Sequence, residues 1–512
     1  MDSLAARVER ASAAAVDRDR VTATDIAALN AFCVVDAAGP FQSRDPVVAR
    51  AAIEAGIHYV DLADARDFVS AFGALDESAK ERGVLAVTGA SSTPALSHAA
   101  IIELTRGWRR IDNVEIAITP GNRAPMGLSV IRSILSYVGK PVSVWRHGRW
   151  TIAPGWGLLT RRPISDLGRR WLSLCATPDL DLAPQRIPSV RSAVFRAGLE
   201  LSFLHLGLWL LSLPVRWRWM ASLLPFAEPL RDAADLFRRW GSDRGGMIVE
   251  VTGVYGDGRR LRATWTLIAE AGDGPQIPAL PALCVVRALL DGSLKQRGAT
   301  PCIGLVDLAT LEEQFKRFAI RARRETEVLE QAPLFQRVLE SFDLMPSAVR
   351  DAHAPDPARE LEGRVDIEGG ETFGARIIAR LFGFPETGRD LPASVTIERD
   401  GNDEVWNRRF GPAEFESRVS TTWGLNRIVE RFGLLEFELD AIANAAGFRL
   451  GVRSAAFMGL PLPRLISPST VAGASLDEHG RYRFDVLVTL PLFGRLVRYE
   501  GWLTPVTSAP SP

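Results

Sequence analysis

The stretch Asp36-Ala37-Ala38-Gly39-Pro40-Phe41 has the residue types best suited to chemistry. Four apolar residues, Phe32 to Val35, lead into it and read as a buried strand. Ala37, Ala38 and Gly39 strip side chains from the carboxyl end of that strand, and Pro40 denies the next backbone donor. A ligand could therefore approach the backbone there, and carboxyl strand ends are where ligands sit in open α/β sheets. A plain core strand with a tight turn would give the same text. His98 and Asp61 are candidates for acid–base work, although a histidine on a helix and a carboxylate at a strand end are usually structural. No residue declares itself as the catalytic one.

The elements around this stretch follow a regular rhythm. Asp45-Pro46 opens a helix that Gly56 closes. Ile57 to Leu62 is a second short strand. Phe68, Val69, Phe72, Leu75 and Ala79 recur at helical spacing as far as Gly83. Val84 to Thr88 is a third strand, and Gly89-Ala90-Ser91-Ser92 leads to a helix entered at Thr93-Pro94. Strands beginning at 32, 57 and 84 suit right-handed βαβ units in a parallel sheet.

The text "VVDAAGPFQSRDPVVARAAIEAGIHYVDLADARDF" and "AKERGVLAVTGASSTPALSHAA" resembles the later part of the NAD(P)-binding domain of saccharopine dehydrogenase-like proteins. The resemblance spans roughly residues 1–320. It implies an NAD(P) cofactor, with Ala38, Gly39, Pro40 and Phe41 bordering its nicotinamide end and Asp61 close by. It also implies that Gly89, Ser91, Ser92 and Pro94 face a substrate cleft between domains, where hydride would pass to or from a small molecule. The family resembles a Rossmann domain whose first strand enters G-x-G-x-x-G, where glycines and a helix N-terminus cradle pyrophosphate. No such motif precedes Phe32; Met1 to Arg20 instead resembles the second helix and third strand. The expectation is an incomplete Rossmann-like sheet lacking one βα unit, with an open edge at the Phe32 strand. A start site placed too late, or loss of dinucleotide binding, would account for that.

Composition narrows the field. The 61 basic and 61 acidic residues cancel, so no long-range field points to nucleic acid. Lysine occurs only at 80, 140, 295 and 316, leaving few candidates for a Schiff base. Cys33, Cys175, Cys284 and Cys302 show no C-x-x-C, and the six histidines no metal-ligand spacing, so reduced thiols and no metal site are expected. Without an apolar leader near Met1, a cytoplasmic protein is expected.

Further along, Asn113–Thr119 reads as a strand and 127–138 as a helix. A hairpin is expected around Tyr255-Gly256-Asp257-Gly258, a helix over 279–290, a strand over 302–306 and a helix from Leu308. Residues 195–226 are the most apolar in the chain, with no charged side chain from Leu201 to Val215. A spanning helix needs about 20 such residues, so a buried helix or an oligomer contact leads. Docking on a membrane surface is the alternative, because Trp209, Trp217, Trp219, Arg216 and Arg218 suit an interface.

"RARRETEVLEQ" reads as a charged, solvated linker helix. Beyond it, seven strand-like runs between 393 and 505 argue for a meandering antiparallel sheet or barrel with a helix on it. This block resembles an uncharacterised bacterial domain often fused behind saccharopine dehydrogenase-like domains, through "LPASVTIERDGNDEVWNRRFG", "LGVRSAAFMGLPLPRLISP" and "RYRFDVLVTLPLFGRLVRYEGWL". A curved sheet of this kind can enclose an apolar ligand. Trp406, Arg408, Arg409 and Trp423 are candidates to line it, with ordinary cross-strand pairs as the alternative.

The expected fold is therefore α/β, an incomplete Rossmann-like parallel sheet with an inserted α+β domain, followed by a mainly antiparallel β domain. The expected domains are 1–112, 113–325 and 335–505. Two functions fit: an NAD(P)-dependent oxidoreductase, or a non-catalytic scaffold that binds an apolar or lipid-like molecule.

Overall fold

Each of the three short apolar runs near the N-terminus becomes a strand in the computed structural model, which describes residues 12, 14–124, 127–381, 383–422, 424–463 and 465–506. These are β1 (Cys33–Asp36), β2 (His58–Asp61) and β3 (Leu85–Thr88), paired in parallel with Asp36 opposite Asp61. A fourth strand, β12 (Gly298–Pro301), lies parallel beside β3. Gly56 and Gly83, at φ +71° and +64°, end the helical segments between them, as residues free of a Cβ can. β3 is buried along its length, but Val35 on β1 is exposed. The expectation of a buried first strand is thus corrected: among the described residues β1 has a neighbour on one side only.

A second, mixed sheet runs β13 (Ile320–Val328), β11 (Arg260–Ala269), β10 (Gly245–Tyr255), β4 (Trp108–Thr119), β9 (Ser192–Ala197), β5 (Pro141–Arg146) and β6 (Arg149–Pro154). The expected hairpin joins β10 to β11, closed by Tyr255 N–H on the Arg259 carbonyl at 2.9 Å. Trp265 and Val249 are fully buried in its core. Two expectations fail here. Residues 302–306 are not a strand; the preceding Gly298–Pro301 makes the ladder, Cys302 N–H adds one more bond to the Thr88 carbonyl at 2.8 Å, and Cys302 and Ile303 are buried. The charged run expected as a linker helix instead forms β13, exposed along most of its length at the sheet edge, where charged side chains blunt an unpaired ladder.

The apolar segment after β9 forms the helix Ser202–Arg216. His205, Ser212 and Val215 are buried, while Phe203, Leu210 and Leu211 are exposed, as are Trp217 and Trp219 just beyond. A wholly buried helix is therefore not what forms. No described helix is long and apolar enough to cross a membrane.

The chain divides into two compact units, Met1–Val251 with Ala263–Thr326, and Thr252–Arg262 with Glu327–Pro512. In the second, β14 (Ala358–Glu368), β15 (Gly388–Asp400), β16 (Asp403–Phe410), β17 (Ala413–Thr421), β18 (Arg427–Phe432) and β19 (Leu435–Asn444) pair in succession, all antiparallel. β19 pairs with β20 (Gly447–Phe457), which pairs with β22 (Ser469–Leu476) and through it β23 (Tyr482–Leu490) and β24 (Gly494–Pro505); a two-residue strand, β21 (Leu460–Pro461), sits beside β20. β24 pairs back onto β14, so ten strands close into a barrel. Short helices at Leu334–Val338 and Ser347–Ala352 contribute Phe335, Val338 and Val349 to the barrel core.

Candidate functional site

Asp36 fixes the turn that leaves β1. Its Oδ1 accepts from Ala38 N–H at 3.0 Å, while Oδ2 accepts from Arg18 Nη2 at 2.9 Å and Tyr59 O–H at 3.3 Å. Ala37, Ala38 and Gly39 are exposed, Pro40 is half-buried, and Phe41 is buried beneath the Arg18 guanidinium. A Cβ built on Gly39 would meet only the Phe41 ring, at 3.8 Å. The tip is thus open backbone that a flat ring can approach, which fits the nicotinamide end of a dinucleotide.

Asp61 is fully buried. Its Oδ1 accepts from Thr88 O–H, Gly89 N–H and Ala63 N–H at 2.8–2.9 Å, and Oδ2 has no partner among the described residues. Burial pushes its carboxyl up to about 7 against the pull of those three donors. Gly89, at φ +70°, could carry a Cβ only 2.5 Å from Pro94 Cδ, so this turn requires glycine. Ser91, Ser92 and Pro94 are buried with it. Asp61, Gly89, Ser91, Ser92 and Pro94 are therefore together inside the protein, while Ala38 and Gly39 stand at the surface. His98 is buried, 3.7 Å from Asp179, which also accepts from Thr93 and Ser97 hydroxyls. Burial lowers the imidazole of His98.

Sequence reasoning missed a polar cluster just past the open tip. Gln42 Nε2 donates to Asp64 Oδ1 at 3.2 Å and to Ser133 Oγ at 2.6 Å. Tyr137 O–H lies 2.9 Å from Cys175 Sγ. All five residues are half-buried. Burial raises the carboxyl of Asp64 and the phenol of Tyr137, and pushes the Cys175 thiol up to about 12, so the thiol stays protonated. Gln42 leaves β1, Asp64 leaves β2, Ser133 and Tyr137 share the helix Leu128–Tyr137, and Cys175 follows β8 (Arg169–Leu174), the antiparallel partner of β7 (Thr160–Pro163). Ser133 and Tyr137, one helical turn apart, are the sole local signal; tertiary packing supplies the rest.

In the barrel, Trp406 and Arg408 line an apolar cavity of about 130 Å³. Arg409 instead is exposed, on the opposite face of the same strand. Trp423 lies outside the described residues.

Residues 1–87 match the family model for the saccharopine dehydrogenase NADP binding domain, and residues 345–503 match a domain of unknown function, DUF4166. No curated protein matches the chain. Among solved structures, apo saccharopine dehydrogenase (L-Glu forming) from Saccharomyces cerevisiae is 12% identical, with a TM-score of 0.44 over 60% of this chain and 87% of that one. GenD2 from gentamicin A biosynthesis, in complex with NAD, is 15% identical, with a TM-score of 0.24 over 57% of this chain and 77% of that one. A DUF3598 protein of unknown function from Nostoc punctiforme is 8% identical, with a TM-score of 0.21 over 51% and 67%. The chain thus joins a saccharopine dehydrogenase-like NADP-binding domain at its N-terminus to a DUF4166 domain at its C-terminus.

Proposed function

We propose that the N-terminal unit is an NAD(P)-dependent oxidoreductase acting on a small molecule. The observation that carries this reading is the bare tip of β1, the exposed Ala38 and Gly39 ahead of Pro40 and the buried Phe41, next in the chain to the half-buried cluster of Gln42, Asp64, Ser133, Tyr137 and Cys175. The Ala38–Phe41 backbone would hold the nicotinamide end, and the bound cofactor would supply hydride chemistry. Asp61 positions the Gly89 turn behind the site. Asp64, raised by burial and held by Gln42, is the group best placed to take or give a proton. Calorimetric titration of the full chain with NADPH and NADH tests the reading; binding of neither removes it. Asp64→Asn should leave that affinity unchanged, yet lower turnover by about 10²–10⁴-fold in a screen of keto and amino acids.

The cavity in the barrel favours a second reading, in which that domain carries an apolar molecule. The exposed Trp217 and Trp219 beside Arg216 and Arg218 support contact with a membrane surface for the first unit. Co-sedimentation with phosphatidylglycerol vesicles is expected at low salt and should drop about tenfold in a Trp217→Ser, Trp219→Ser double variant, since buried tryptophan dominates interfacial affinity. An unbound supernatant at low salt would remove the membrane contact.

A further inference from the structure

The lining of the barrel cavity is mostly apolar and carries one charged pair. Of the residues lining the cavity only Arg408 and Glu430 are charged, and both are largely shielded, with side chains 12% and 24% exposed. Arg408 Nη1 donates to Ser417 Oγ at 2.8 Å and Nη2 to Glu430 Oε1 at 3.2 Å. Nε and the second hydrogen on each terminal nitrogen find no acceptor among the described residues. Arg408 thus brings to the cavity donors that the protein engages only in part, and a ligand's acceptor could take them.

Trp406 and Phe415 hold the guanidinium in place, their ring centres 4.9 and 5.8 Å from it. Four of the lining residues, Phe335, Trp406, Phe448 and Tyr482, pack around the buried ring of His353. Burial, and then the Arg408 charge, push that imidazole down to about 3, so His353 is neutral and brings no rival cation. At the far ends of the strands, away from His353, Phe457, Leu460 and Leu492 are exposed, as is Phe373 at the start of the helix Phe373–Leu381. None of these four lines the cavity, but as exposed apolar side chains at that end they suit contact with a hydrocarbon tail.

Building on the carrier reading, we propose that the barrel binds a medium-chain monocarboxylate, its tail among the aromatic side chains and its carboxylate on the free donors of Arg408. The planar fork of a guanidinium serves two carboxylates from two sides, so the ligand can share Arg408 with Glu430. An uncharged chain of the same length would keep the tail contacts and lose the paired charge.

Calorimetry of the full chain with decanoate and with 1-decanol tests this. Decanoate should bind at least about tenfold more tightly, as charge-assisted hydrogen bonds in a dry site allow. Arg408→Met should abolish that preference while leaving decanol affinity within about twofold, and Glu430→Gln, which removes the competing carboxylate, should tighten decanoate alone. If Arg408→Met fails to fold, Glu430→Gln decides. Equal affinities in the wild type, or no gain in Glu430→Gln, overturn the proposal and leave the carrier reading standing; binding of neither compound overturns both.

Discussion

Gly39→Val is expected to weaken NADPH binding at least tenfold while leaving the fold untouched. A Cβ at Gly39 enters open space, with the Phe41 ring 3.8 Å away, and Gly39 is not among the glycines at positive φ. The backbone is therefore one that an L residue adopts freely. Under the proposed function, valine would nonetheless fill the space through which the nicotinamide ring reaches the strand tip, and about 1.4 kcal/mol of lost contact is already tenfold in affinity. Calorimetry for NADPH and a thermal melt together make the check. Unchanged affinity would mean that the cofactor does not use this tip. Gly89 supplies the contrast: its φ of +70° and the 2.5 Å approach to Pro94 Cδ mean that alanine there disturbs the fold before it touches binding.

The second large effect lies in the barrel. Arg399 is 4% exposed, and its terminal nitrogens donate to the carbonyls of Glu330, Gln331 and Ala332 at 2.6–3.0 Å. Its charge also faces Glu404, a carboxyl that is 1% exposed and accepts from Leu334 N–H and Trp406 Nε1–H at 3.1 Å. Arg399→Met leaves three carbonyls and a buried carboxyl without that partner, a loss of about 3–5 kcal/mol. Hydrogen exchange of the β15–β17 amides measures it, and protection unchanged from the wild type would refute the role given to Arg399. The pH dependence has a definite sign. Burial pushes Glu404 up to about 7 despite its hydrogen bonds and the cationic arginines. A raised carboxyl favours the fold fully below its unfolded value of 4.5, and that contribution is lost as pH rises through about 7, amounting to about 3 kcal/mol. In Arg399→Met the carboxyl rises further, so the loss on going from pH 5 to pH 8 should steepen, because the remaining ionised form has less to offset its burial.

How much of this was legible in the residues depends on how local each signal is. The strands β1 to β3 could be read because each is a short apolar run and glycines close the helical segments before β2 and β3. The same periodicity failed at β13, where charges occupy both faces of an edge strand. Strands β14, β18 and β22 escaped notice for a related reason: "ARELEGRVDIE", "RIVERF" and "STVAGASL" mix charges and small residues, so tertiary pairing overrides weak propensity. Trp406 and Arg408 were legible as barrel lining because side chains alternate along a strand, and the same alternation removes Arg409. The cluster of Gln42, Asp64, Ser133, Tyr137 and Cys175 was not, since its closest contact joins residues 91 positions apart.

One consequence of the ring follows from its seam. Leu361, near the start of β14, lies directly opposite Pro505 at the end of β24. The polypeptide therefore leaves the ring beside the place where it entered, and adjacent ends are what let a module be spliced into an unrelated host without bending either partner. The ring by itself meets that condition, whereas the compact unit around it also takes in the hairpin tip Thr252–Arg262 and so is tied to the rest of the chain more than once.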